Sequence, residues 1–208
     1  MSNALLIQNG RVVDPAQNLD QIADLLIVDG KIAALGADAA AQAPENAEKF
    51  DATDKIVAPG LIDLHVHLRE PGGEDAETIA TGTLAALSGG FTSIACPPNT
   101  NPPIDAPATV ALIRELAERA RRCNVFPMCC ISKGRKGEEL AELGVLFESG
   151  AVACSDDGSG IEDSELMRRA LEYCLMFDKY IRVYATNKRI AFFNRCNLFV
   201  EKLALPFR

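Results

Sequence analysis

The feature that most limits what this chain can fold into is a repeated plan between residues 59 and 178. There, short apolar runs rich in strand-forming residues alternate with amphipathic, helix-like stretches. "GLIDLHVHL" leads to "ETIATGTLAALSGG", and "FTSIACPP" leads to "APATVALIRELAERARR". "NVFPMCCIS" leads to "EELAELGVLFESG", and "AVACSDDGSG" leads to "DSELMRRALEYCLMF". Four strand–helix units of about 30 residues each result. Helical crossovers lay successive strands parallel, which restricts this region to a barrel or a doubly wound sheet. The helix ends are marked. Gly89 and Gly90 stop the first helix, Arg residues close the second in accord with its dipole, and Asp163 is placed to cap the fourth.

The flanking regions follow different plans. Residues 1–58 read as a small β unit, with Asn9-Gly10 and Asp29-Gly30 as tight hairpin turns, since both pairs accept the positive φ such turns need. "DAAAQAPENAEKFDAT" reads as a loop or a weak helix between strands. Residues 179–208 hold seven Lys or Arg and one acid, Glu201. That leaves a net +6 on a tail within a chain whose total is −8. The tail reads as divergent, because it shows no Gly and no clear periodicity. The acidic total disfavours nucleic acid and anionic membranes as partners. No apolar run approaches the roughly 20 residues of a membrane span, and no signal peptide is read at the start. Seven scattered cysteines without a Cys-x-x-Cys pair read as reduced thiols in a cytoplasmic core.

Both histidines of the chain, His65 and His67, stand one residue apart. In an extended strand, residues i and i+2 share a face, so the two imidazoles present side by side, and Asp63 has the same parity. The turn "REPGG" follows, which puts the pair at the C-terminal end of its strand, where barrel active sites assemble. Neutral imidazole is a good ligand for zinc and similar metals. By spacing alone the pair fits a metal site and a polar core equally well. Further polar groups fall at the equivalent ends of later strands: Asn99 after the second, Asp156 and Asp157 after the fourth. Asp-Asp-Gly alone reads as a turn and cap, and Arg69 alone reads as a surface partner of Glu70 or Glu74. Their convergence on one rim favours a site. Lys133, Arg135 and Lys136 read as a solvated loop, and Cys154 as an inert core thiol.

"GLIDLHVHLREPGGE", "PPNTNPP" and "CSDDGSG", in that order and spacing, resemble the amidohydrolase superfamily, and within it the dihydroorotases of the bacterial long-chain type. Allantoinases share much of the first motif, whereas hydantoinases tend to lack the arginine. The resemblance covers residues 1 to about 178. It implies a (β/α)8 barrel beside a small β-sandwich, and zinc (one or two ions) held by His65, His67 and Asp157. It implies that Arg69 and Asn99 hold a substrate carboxylate. The implied reaction is the reversible cyclisation of N-carbamoyl-L-aspartate to dihydroorotate in pyrimidine synthesis. The implied partners are that small molecule, a second copy of the chain, or aspartate carbamoyltransferase.

The family pattern also asks for two more histidines and a catalytic aspartate from later strands. This chain has no third histidine. The expectation is therefore a truncated barrel of about four units, with a partial site, a tail arising from a reading-frame change or truncated gene, and little or no activity. Two alternatives stay open: a non-catalytic homologue scaffolding aspartate carbamoyltransferase, or an allantoinase- or hydantoinase-type enzyme.

Overall fold

The computed structural model describes residues 3–182, and the remainder of the basic tail, 183–208, lies outside the described residues. The chain divides into two compact units between Pro59 and Gly60.

The first unit is built on β1 (Ala4–Asp14), β2 (Leu19–Val28) and β3 (Lys31–Leu35), followed by α1 (Ala37–Gln42), β4 (Glu48–Asp51) and β5 (Ile56–Val57). The strands form one mixed sheet in the order β3-β2-β1-β4, with β5 also paired to β1. Leu6, Leu26 and Ala39 are its buried centre. Asp29-Gly30 makes the β2–β3 hairpin, both residues at positive φ. Asn9-Gly10 does not turn the chain, contrary to the sequence reading. β1 continues through it, and the pair forms a bulge where the register against β2 shifts between Ile7 and Gly10. Asn9 takes φ 63° there, its backbone N–H donating to Asp24 Oδ1 at 2.9 Å. Gly10 is required by space: a Cβ would lie 2.6 Å from Val57 Cγ2. The turn into β2 comes later, through Asp14 and the left-handed Asn18.

The second unit alternates strand and helix: β6 (Leu61–Asp63), α2 (Ile79–Ser88), β7 (Phe91–Cys96), α3 (Pro107–Ala120), β8 (Asn124–Cys129), α4 (Leu143–Glu148), β9 (Ala153–Ser155), α5 (Ser164–Met176) and β10 (Tyr180–Arg182). All pairings are parallel, in the order β10-β9-β8-β7-β6. This is the run of strand–helix units expected of a truncated barrel. It includes one strand more: Tyr180–Arg182, at the start of the stretch read as tail, pairs in register with Ala153–Ser155.

The strands obey the two-residue period, and each face has its own core. Ile94, Cys96, Cys129 and Cys154 point to the helices, where they meet Ile79, Val110, Ile113, Leu146, Leu166 and Cys174. Ala95, Met128 and Ala153 point to the other face, beside Leu64, Phe126 and Tyr180. The helix boundaries have local causes. Thr78 caps α2 in a reciprocal box with Thr81, and the Asp163 carboxylate accepts from Glu165 N at 2.8 Å at the start of α5. α4 is shorter than its sequence suggests. Gly134 and Gly137 adopt positive φ and fold the preceding loop back, so that Leu140 bridges to Ser132 and Ala141 N donates to Ile131 O at 2.9 Å. Among the described residues, no helix is long and apolar enough to cross a membrane.

Candidate metal centre

The second unit places its polar groups on the loops that follow the C-terminal ends of its parallel strands. His65 and His67 lie just beyond β6, where a bond from Val66 N to Ala95 O at 2.9 Å keeps the chain beside β7. Asp63 does not join the group; its Oδ1 accepts from His65 N at 2.9 Å and fixes the chain leaving the strand. The rings meet edge to face, centroids 4.7 Å apart, with the two Nε2 atoms at 3.0 Å. Asp157, after β9, turns its carboxylate onto them. Oδ1 lies 3.3 Å from His65 Nε2 and Oδ2 lies 3.9 Å from His67 Nε2. Two nitrogens and one oxygen thus converge within 4.8 Å, the aspartate buried and the histidines half-buried.

This donor set fits a divalent cation. Neighbouring ligands on a tetrahedral zinc with bonds of about 2.0–2.1 Å stand roughly 3.3 Å apart, close to the spacing seen. Asn99 Oδ1 lies 3.0 Å from His67 Nδ1. An amide oxygen only accepts, so Nδ1 carries the proton and Nε2 keeps its lone pair facing the group, the tautomer a metal ligand needs. Burial, then the positive charge of Arg182, hold the His65 imidazole below its ordinary pKa against the opposing pull of Asp157. The neutral form, which alone can ligate, is favoured. His65 Nδ1 is buried without a hydrogen-bond partner among the described residues.

The two adjacent aspartates divide their work. The Asp156 carboxylate is consumed by the loop after β8: Oδ1 accepts from Ile131 N at 2.8 Å and Ser132 N at 3.1 Å, and Oδ2 accepts from the Ser132 hydroxyl. It ties two strand ends together. Asp157 is left to face the histidines.

Arg69 stands exposed at φ 60°. Its expected alternative partners are engaged elsewhere, Glu70 with Ile79 N at 2.7 Å and Glu74 with Gly72 N at 2.8 Å. Among the described residues its guanidinium has no hydrogen bond or ion pair, neither with those acids nor with the His–Asp group.

Two residues of the site escaped sequence reasoning. Arg135 is not a solvated loop residue: its guanidinium donates to the Asp157 carbonyl, to the Asp156 carbonyl at 3.3 Å and to Ser159 Oγ at 3.5 Å. It holds the backbone from which Asp157 projects. Arg182, in the stretch read as tail, donates from Nη1 to Leu64 O at 2.7 Å, one residue from His65. Neither link has a sequence signal, since each joins residues far apart in the chain.

The dihydro-orotase-like family model matches residues 54–191. The chain is similar to a dihydroorotase of Citrifermentans bemidjiense, 56% identical over 169 residues, which are 81% of this chain and 39% of that protein. It thus spans about 39% of the length of this curated relative. In fold it resembles the L-hydantoinase of Arthrobacter aurescens, with TM-score 0.75 at 22% identity, covering 91% of this chain and 42% of that one. It also resembles an enamidase of the amidohydrolase superfamily, with TM-score 0.64 at 20% identity, covering 91% and 52%. At those identities the two structures speak for the barrel alone. The family match covers most of the chain and the dihydroorotase identity is high, so this chain belongs to the dihydro-orotase-like family.

Proposed function

We propose that this chain carries the first part of a zinc-dependent dihydroorotase, an enzyme interconverting N-carbamoyl-L-aspartate and dihydroorotate in pyrimidine synthesis. The observation that carries the reading is the convergence of His65 Nε2, His67 Nε2 and the Asp157 carboxylate within 4.8 Å at the strand ends. The 56% identity to a protein named dihydroorotase supports this substrate over those of the hydantoinases, whose resemblance is at the level of fold.

His65, His67 and Asp157 would hold the ion. A zinc ion there supplies a Lewis acid and lowers the pKa of a bound water from 15.7 towards ~7. Asn99 fixes the His67 tautomer through Oδ1, and its amide nitrogen remains a donor for a substrate carboxylate. Arg69, without a partner among the described residues, offers the planar fork that binds a carboxylate through two parallel bonds. Asp156 and Arg135 keep the Asp157 loop in place. General acid–base help is commonly worth ~10²–10⁴ in rate. With no third histidine in the chain, the 208-residue protein alone turns over dihydroorotate slowly or not at all. Its small-molecule substrate and a reducing, cytoplasmic setting follow from the same reading.

The test is metal analysis of the purified chain beside a dihydroorotate ring-opening assay. One bound zinc, lost in His67→Ala, with turnover far below that of a full-length relative, supports the proposal. Absence of bound zinc after incubation with the ion sinks the metal centre. Turnover equal to the full-length relative sinks the claim of impairment.

A further inference from the structure

β6 and β10 are the two ends of the sheet order β10-β9-β8-β7-β6. Yet Arg182, the last residue of β10, donates to the carbonyl of Leu64, just past β6, at 2.7 Å and 118 residues away in sequence. The sheet therefore curls until its two described edges are bridged by one side chain. The bridge lands next to His65, and the half-buried guanidinium brings a permanent positive charge to the same strand ends as the His–Asp group. A divalent cation between His65, His67 and Asp157 has the same sign of charge as this guanidinium and is repelled by it.

We propose that Arg182 is a resident cation beside the metal centre and sets its affinity low, weakening divalent-ion binding by charge repulsion. The inference rests on the metal-centre reading. Asp157 is the anion that faces the group; Asp156 is turned away into its bonds with Ile131 and Ser132. The Asp63 carboxylate accepts from His65 N at 2.9 Å. Among the described residues the Arg182 guanidinium donates to a backbone carbonyl, which leaves its charge in place.

The experiment measures the Zn²⁺ dissociation constant of the full chain by competition with a chromophoric chelator at pH 7.5. Wild type, Arg182→Gln, Arg182→Met, Arg182→Lys and His67→Ala are compared. The two neutral variants should bind zinc at least about tenfold more tightly, whereas Arg182→Lys stays near wild type. The gap should narrow between 0.01 M and 1 M salt, as the screening length falls from about 30 Å to about 3 Å; a purely structural role of Arg182 gives no such salt dependence. Two neutral variants are used because the side chain also ties the sheet edges. A folded neutral variant that binds zinc as wild type does, or more weakly, overturns the inference. So does failure of both to fold, which makes Arg182 a structural tie. Zinc bound by wild type and lost in His67→Ala, with Arg182→Gln unchanged, leaves the metal centre standing and removes this inference alone. Zinc on none of the proteins removes both.

Discussion

At the residue scale, Asp156 and Asp157 show how one step along the chain, from the end of β9 into a turn, reverses the use of a side chain. Both are buried, 2% and 4% exposed, so each charge needs partners. Asp156 finds them in backbone N–H groups and a hydroxyl; Asp157 faces two imidazoles, where a divalent ion would be its counter-charge. Asp156→Asn should cost about 1–3 kcal/mol of stability, read by urea unfolding, because buried donors lose a charged acceptor. Asp157→Asn should leave the urea midpoint nearly unchanged and weaken zinc binding at least about tenfold. Asn99→Ala, which removes the group fixing His67, should weaken zinc by roughly 10–100-fold. The thiols make a separate case. Burial pushes the Cys96 thiol up to about 12 and drives Cys129, Cys130 and Cys154 upward too. The half-buried Cys123 is raised less. Peptide mapping after brief alkylation of native protein should find Cys123 modified ahead of Cys96, Cys129, Cys130, Cys154 and Cys174.

At the element scale, legibility followed how local the cause was. α2 and α5 start where Thr78 and Asp163 indicate, since a cap is decided within three residues. Thr78→Ala should therefore cost about 1 kcal/mol in urea unfolding. Asn9-Gly10 misleads because positive φ serves a bulge as well as a hairpin, and the choice depends on Asp24, Ala52 and Val57, which local sequence cannot place beside it. Gly10→Ala, which would force a Cβ to within 2.6 Å of Val57 Cγ2, should cost about 1–3 kcal/mol. α4 was over-read for a similar reason: Glu138 and Glu139 suit a helix, but Gly134 and Gly137 return that stretch to Ser132 as a bridge.

At the scale of the whole molecule, the convergence of His65, His67 and Asp157 was legible in outline. His-x-His on one strand and an acid after another must share a rim if the strands are parallel. What parallel order does not reveal is how far the sheet curls, so Arg182 beside His65 and Arg135 beneath Asp157 came only from the folded chain. Excess zinc should raise the thermal midpoint of wild type, since an ion bound only to the native state at 100 times its dissociation constant contributes about 2.7 kcal/mol. The Asp157→Asn protein should show no such rise, and chelation by EDTA should reverse it.

The bonds that Asp156 and Arg135 make to backbone groups around Asp157 bear on the order of events in ion capture. The loop is held by bonds from Asp156 and Arg135 in which no ion takes part, so the proposed capture asks for no ordering of it. Uptake should then run at a pace governed by the ion shedding its hydration water, with little change in backbone amide hydrogen exchange at residues 156–159.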